Sequence, residues 1–203
     1  MKERPILMSA PMVRAILEGR KTQTRRVAKP QPDSFYTRDS TGRLDNDGDW
    51  VWFRGNYPQV GRKNKYGVIG DGLWVRETWR VFGVREYEYQ HHQPSVIYRS
   101  DSDAFEQEEW RPSIFMPRWA SRITLEVTSV RVERLMDITA NGAKAEGVTP
   151  HDPIPFPDNA ELDRIEEDCR WRGAYEVLWD KINGKTYPWA SNPWVWVIEF
   201  KRL

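Results

Sequence analysis

The sharpest chemical feature of this 203-residue chain is a short cationic run with interleaved hydroxyls, Arg20-Lys21-Thr22-Gln23-Thr24-Arg25-Arg26. Guanidinium and ammonium groups donate strong hydrogen bonds to phosphate, carboxylate or carbonyl oxygen. A hydroxyl beside an amine of lowered basicity can instead attack an acyl carbon. The run sits in a wider basic segment, residues 1–30, with eight bases (Lys2, Arg4, Arg14, Arg20, Lys21, Arg25, Arg26, Lys29) against two acids (Glu3, Glu18). Such a segment suits a phosphate-bearing ligand, and the plain alternative is an ordinary solvated face. It is not a P-loop, because Gly19-Arg20-Lys21-Thr22 lacks the upstream glycine.

Further candidates are scattered along the chain. Arg76 and Glu77 adjoin in a strand-like run and so face opposite ways. Glu77 is then either a carboxylate in a cleft or half of a structural ion pair. Arg118 and Arg122 can extend a cationic track, with Trp119 as a platform for a base; the alternative buries the ring and leaves the arginines on the surface. Trp50, Trp52, Trp74 and Trp79 divide the same way, and rings in strand-like runs are more often core. His91 and His92 are weak catalytic candidates. With Cys169 the single cysteine and His151 the only other histidine, an intrachain disulfide and a cysteine zinc cluster are excluded. No metal site and no cofactor are expected.

Bases number 31 and acids 30, so net charge does not predict bulk attraction to nucleic acid. The acids are instead bunched, five in residues 101–109 with no base and six in residues 158–168 with one. The 11 Trp, 8 Tyr and 7 Phe exclude a wholly disordered chain. No apolar run is long enough for a membrane span or a signal peptide, which predicts a cytoplasmic protein.

The elements that must position these groups follow from periodicity. Ile6-Leu7-Met8 predicts a strand. Met12, Val13, Ile16 and Leu17 predict a helix from Ala10 to Glu18, with Ser9 as N-cap and Gly19 as its end. The basic run then enters an extended segment. Residues 30–65, rich in glycine and proline, predict a surface insertion with one strand or hairpin around Trp50-Val51-Trp52-Phe53. Gly70-Asp71-Gly72 turns into the strand Leu73 to Trp79, and Ser95 to Arg99 predicts another. From Arg122 to Leu135 the apolar positions are odd up to Val127 and even from Val130, so one long strand must change parity near Thr128-Ser129, at a bulge or bend. Asp137 is the expected cap of a short helix through Ala145 that Gly147 ends. Leu162 to Ile182 carries helical spacing with Gly173 as a possible break, and Trp194 to Phe200, apolar on both faces, predicts an internal strand. The fold class is α+β around a small, partly closed β-barrel, as one domain with insertions near residues 28–68, 80–112 and 149–170.

The run Ile16 to Arg26 resembles the ASCH domain family, of the PUA-like β-barrel superfamily. Gly70-Asp71-Gly72-Leu73-Trp74-Val75-Arg76-Glu77, the long strand Ile123 to Leu135 and Trp196-Val197-Ile198-Glu199-Phe200 resemble, in order, the family's turn into a barrel strand, its long strand and its closing strand. These pieces cover roughly half the chain. The text Phe115-Met116-Pro117-Arg118-Trp119-Ala120-Ser121-Arg122 is similar to ASCH proteins carried by phages and prophages.

The resemblance implies recognition of nucleic acid or of a nucleotide, RNA, DNA or a modified nucleoside, in a cleft between barrel and helix. One bacterial branch with a similar N-terminal motif removes the acetyl group from N4-acetylcytidine. Its lysine and threonine correspond to Lys21 and Thr24, and its glutamate to Glu146, although Gly147 departs from that branch. In that role Thr24 is the nucleophile, Lys21 its base and Glu146 the group that positions or shuttles the proton. Residues three apart in a strand point to opposite faces, so Lys21 must lie in the turn before the strand for the pair to meet. Two other readings stand beside it. In the first, Arg20, Lys21, Arg25 and Arg26, with Arg118, Trp119, Arg122 and Glu77, bind nucleic acid without turnover. In the second, a phage accessory protein uses its acidic segments to dock on a host protein.

Overall fold

The computed structural model describes residues 1–29, 31, 34–36, 51–54, 57–60, 64–82, 95–101, 109–150 and 160–203, with side chains described except at 34–36, 51–54, 57–60, 82 and 160–166. Ten strands and three α-helices follow one another among them as β1 (Glu3–Leu7), α1 (Ala10–Leu17), β2 (Gln23–Val27), β3 (Ser34–Tyr36), β4 (Val51–Arg54), β5 (Tyr57–Val60), β6 (Gly72–Arg76), β7 (Trp79–Phe82), β8 (Ser95–Tyr98), β9 (Thr124–Arg134), α2 (Ala140–Ala145), α3 (Ala160–Asn183) and β10 (Trp194–Arg202). The architecture is α+β.

The main sheet has five strands in the order β1-β6-β9-β10-β2. β1 and β6 are parallel, and the other neighbours are antiparallel. β1 and β2 are thus its two edges, and no ladder joins them among the described residues. They nevertheless come within side-chain reach, since Arg26 of β2 donates from Nη2 to the Leu7 carbonyl of β1 at 2.7 Å. The predicted parity change falls where Glu199 pairs with Ser129 but Phe200 pairs with Val127. Thr128 is the extra residue, and this bulge lets Leu125, Val127 and Val130 stay buried on one face of β9, with Val132 partly buried beside them.

β10 is internal, as its two apolar faces predict. Trp196, Ile198 and Phe200 pack with Val13 and Ile16 of α1 on one side of the sheet. Val195 and Val197 pack with Ala143 of α2 and Tyr175 and Trp179 of α3 on the other. Each face is shielded by a helix, which is why so hydrophobic a strand is tolerated. A second sheet, β3-β4-β5, and the hairpin β7-β8 lie in the first two expected insertions. The first insertion therefore holds three short strands rather than one strand or hairpin.

Three local expectations need correction or refinement. Ser9 occupies the N-cap position of α1, with Pro11 in the first turn, but its side chain makes no capping hydrogen bond. Thr139, not Asp137, caps α2, its hydroxyl accepting from Gly142 N–H at 3.1 Å. Asp137 is spent in a single 3-10 turn ahead of that cap. Gly173 does not interrupt α3, which runs unbroken over 24 residues, because the helix's stripe of Tyr175, Leu178 and Trp179 is anchored on the core beyond it and outweighs one glycine's cost of about 1 kcal/mol. Among the described residues no helix is long and apolar enough to cross a membrane.

Candidate active site

The strand β2 and the turn before it carry the cationic run to the edge of the main sheet. Gly19 ends α1 with φ +75°, and the chain turns so that Lys21 N–H bonds to the Ala15 carbonyl and Thr22 N–H to that of Ala145, each at 2.9 Å. Lys21 therefore lies in the turn, ahead of the first strand residue Gln23. This is the placement that strand geometry requires if Lys21 and Thr24 are to reach one site. Thr24 lies opposite Ile198 and Arg25 opposite Val197. Successive side chains thus point to the α1 side and to the α2–α3 side of the sheet.

Glu146 follows the last turn of α2. Its peptide N–H closes onto the carbonyls of Gly142 and Ala143, and Gly147 then leaves the helix with φ +80°. A Cβ on Gly147 would stand 2.8 Å from the Cβ atoms of both Ala15 and Lys21. Only glycine allows α1, the turn and the end of α2 to meet this closely. The Arg20 guanidinium adds a clasp to the Gly147 carbonyl at 3.1 Å.

The result is a buried ion cluster. Lys21 Nζ donates to Glu146 Oε2 at 3.0 Å and to the Glu146 carbonyl at 2.8 Å. Arg25 reaches Glu146 Oε1 at 3.3 Å and Glu133 at 2.9 Å. Lys21, Thr24, Arg25 and Glu146 are each at least 95% shielded from solvent. Burial pushes the Lys21 ammonium below the usual lysine range; Glu146 opposes that shift, while Arg26 and Arg25 add to it. Desolvation wins because a charge removed from water loses more than one partner restores.

These groups border a cavity of about 360 Å³, the size of a small-ligand site. Lys21, Thr24, Arg25, Arg26 and Glu146 all line it, with Met8 and Ser9 after β1 on one side and Tyr175, Leu178 and Trp179 of α3 on the other. The cavity lies along the edge of β2 that carries no ladder among the described residues, so side chains from both faces of the strand reach it. Burial, and then the neighbouring Glu146, hold the Tyr175 phenol well above its usual range. It stays a protonated donor. The pocket therefore offers a hydroxyl, an amine whose proton affinity burial lowers, a carboxylate holding that amine, and guanidinium and phenol donors for a developing negative charge.

No protein-family model, curated protein or solved structure matches this chain. Its site is therefore read from its own geometry.

The remaining sequence candidates lie elsewhere. Arg20 is at the surface, paired with Glu18, and borders a second cavity of about 620 Å³. Glu77 is buried beneath Arg122, which it accepts from at 3.0 Å, and also accepts from the Ser100 hydroxyl. Arg122 spans onward to Asp101 at 2.6 Å. Arg118 pairs with Glu3 at 2.8 Å. Trp119 is 55% exposed and stands edge-on to the buried Trp79, ring centroids 5.9 Å apart. None of these lines the cavity holding Lys21. Trp74 is buried on β6, and Trp52 lies on β4. Trp50, His91, His92 and His151 fall outside the described residues, as do residues 102–108 and 158–159 of the acidic segments. Among the described residues no three His, Cys, Asp or Glu are grouped to hold a metal ion.

Tyr175, Leu178 and Trp179 are among the wall residues that the sequence did not flag. They lie on an apolar helical stripe, which reads as core until the edge of β2 is known to face them.

Proposed function

We propose that the protein is an ASCH-type, PUA-like domain that takes an acylated pyrimidine nucleoside into the cavity beside β2 and hydrolyses its acyl amide. The observation that carries this reading is the convergence of Lys21, Thr24 and Glu146 from separate segments on one cavity wall, with the lysine's proton affinity lowered by burial. Among the described residues the main sheet is not closed into the expected barrel; the PUA-like part of the reading draws support only from the Arg26 Nη2 contact with the Leu7 carbonyl between the outer strands and from the bulge in β9.

In the proposed reaction the Thr24 hydroxyl attacks the acyl carbon while neutral Lys21 takes its proton. Glu146 holds Lys21 Nζ in place and stabilises the ammonium so formed. The guanidinium of Arg26 and the phenol of Tyr175 face the developing oxyanion. Collapse breaks the carbon–nitrogen bond, and Lys21 returns the proton to the departing exocyclic amine. Water, deprotonated by the same lysine, then attacks the threonine ester; its carbon–oxygen bond breaks, Lys21 returns the proton to Thr24 Oγ1, and the carboxylic acid leaves.

The test is incubation of the pure protein with a panel of N4-acylated cytidines and plain nucleosides, resolved by chromatography. The reading expects conversion of an acylcytidine to cytidine, abolished by Thr24→Val in a folded variant. Binding of these nucleosides with no product, or turnover unchanged in Thr24→Val, contradicts it.

A further inference from the structure

The second cavity, about 620 Å³, adjoins the reactive one, and Met12 of α1 and Leu178 of α3 line both. Arg20 and Gly147 border the second where their chain neighbours Lys21 and Glu146 border the first. Val148, Ala174 and Val177 continue its apolar wall. Three cations also line it, Arg20, Arg170 and Lys181, and among the described residues no acidic side chain does. Arg20 is taken up by Glu18 and by the Gly147 carbonyl. Lys181 is exposed and has no carboxylate partner among the described residues.

One residue of this wall has no packing reason to be what it is. Gly173 lies inside α3, where glycine is a poor helix former. A Cβ built on it meets no atom within 4 Å, so no neighbouring group forbids a side chain there. What a longer side chain at this position would occupy is the cavity itself. The glycine gives up helix propensity and leaves volume open beside the reactive cavity.

The shared pair Met12 and Leu178 offers an acyl chain an apolar route from the carbon attacked by Thr24 into that volume. Both side chains are only partly buried, and an unbranched methionine adapts readily to a chain passing it. An acetyl group would leave the second cavity empty. A plain fatty chain would cover the apolar wall and leave the Lys181 ammonium idle, and a phosphate would use the cations and waste the wall. A chain that is apolar along its length and ends in a carboxylate uses both.

Resting on the reading of the smaller cavity as the acyl-amide site, we propose that the second cavity is the subsite for the acyl group, and that the preferred substrate carries a long acyl chain with a terminal carboxylate. Gly173 leaves room for the chain and Lys181 holds its carboxylate. Water is added across the acyl carbon–nitrogen bond as before, which releases cytidine and the free dicarboxylic acid.

The experiment uses the full chain and three amides of cytidine N4, the acetyl, octanoyl and suberoyl compounds, the last with its far carboxylate free. Values of kcat and KM are measured for the wild type, Lys181→Gln and Gly173→Phe, and binding of suberate is followed by calorimetry in the same three proteins. The wild type should favour both long amides over the acetyl one by at least about tenfold in kcat/KM, the scale of burying roughly two methylene groups. It should favour the suberoyl amide over the octanoyl one by about fivefold, the scale of one exposed ion pair. Lys181→Gln should erase the second preference and keep the first. Gly173→Phe should erase the first by filling the cavity. Both losses should fall on KM, because the chain is held equally in ground and transition states. Each variant is read as a ratio of two substrates in one protein, so a general loss of activity cancels.

No preference for the suberoyl amide in the wild type, or ratios that the two variants do not move, would overturn the proposal while cleavage of the acetyl amide leaves the hydrolase reading standing. If no amide is cleaved, the hydrolase reading fails. Suberate binding that weakens in both variants then keeps the second cavity as a carboxyacyl site, and suberate binding that is absent or indifferent to them overturns it.

Discussion

Two buried glutamates anchor arginine-containing clusters in this molecule, and they differ in what surrounds them. Glu77 is enclosed by Arg122 and Ser100, with Asp101 on the far side of the guanidinium. Two carboxylates share one arginine there, and the Arg122 charge is held strongly, by hydrogen bonds to Asp101 and Glu77 that outweigh its partial burial. Glu146 lies instead among Lys21 and Arg25 with Arg26 close by, and borders an open cavity. The first cluster stitches the hairpin β7-β8 and the segment before β9 to the sheet. The second leaves an amine whose charge is costly and whose neighbours include space for a ligand. Burial of a carboxylate is common to both. What separates a tie from a candidate site is an unfavourable protonation state next to a hollow.

The contrast is broken most strongly by paired substitutions. Lys21→Ala should lower turnover of an acylcytidine by about 10³-fold, the range of a lost general base. Arg122→Met should leave turnover per folded molecule near wild type, yet cost roughly 3 kcal/mol in denaturant unfolding because it strands Glu77. Equal kinetic damage from both would erase the distinction. Next in size is Gly147→Ala. Its positive φ costs about 1 kcal/mol for alanine, and the new methyl meets Ala15 and Lys21 at 2.8 Å. We expect a total loss of roughly 2 to 3 kcal/mol, together with reduced turnover because Lys21 is displaced. A variant of wild-type stability and activity would show that the close approach is not needed.

The smallest effect concerns pH. Because burial lowers the Lys21 proton affinity in the folded state, the unfolded chain binds more protons between that lowered value and the ordinary lysine value. Stability contributed through Lys21 therefore rises with pH across this window. Unfolding free energies measured across alkaline pH should show that rise in the wild type and lose it in Lys21→Met. The same slope in both would assign it to other groups.

Much of the frame was legible because it is written in periodicities. The parity switch between Val127 and Val130 marks the bulge at Thr128, and the two apolar faces of Trp194 to Phe200 place β10 inside the sheet. Side-chain alternation also required Lys21 to lie in the turn if it and Thr24 are to share one site. The partners across the chain were not legible. Nothing in sequence spacing says that Arg122 folds onto Glu77, which removes a candidate carboxylate from the cleft, or that Arg118 is occupied by Glu3. Tyr175 and Trp179 were hidden because a helical stripe that lines a cavity has the same period as one that fills a core. Thr139 outcompeted Asp137 as cap because a 3-10 turn consumes the aspartate, a local choice that neither residue type dictates.

The central claim is that Lys21 is an amine of lowered proton affinity facing a ligand pocket. The most direct measurement is an NMR titration of lysine side-chain amines in the folded wild type, with Lys21 assigned by comparison with Lys21→Met. The account predicts that Lys21 loses its proton below the ordinary lysine range, and that N4-acetylcytidine shifts its resonance. A Lys21 signal that titrates in the ordinary lysine range and ignores the nucleoside would contradict it.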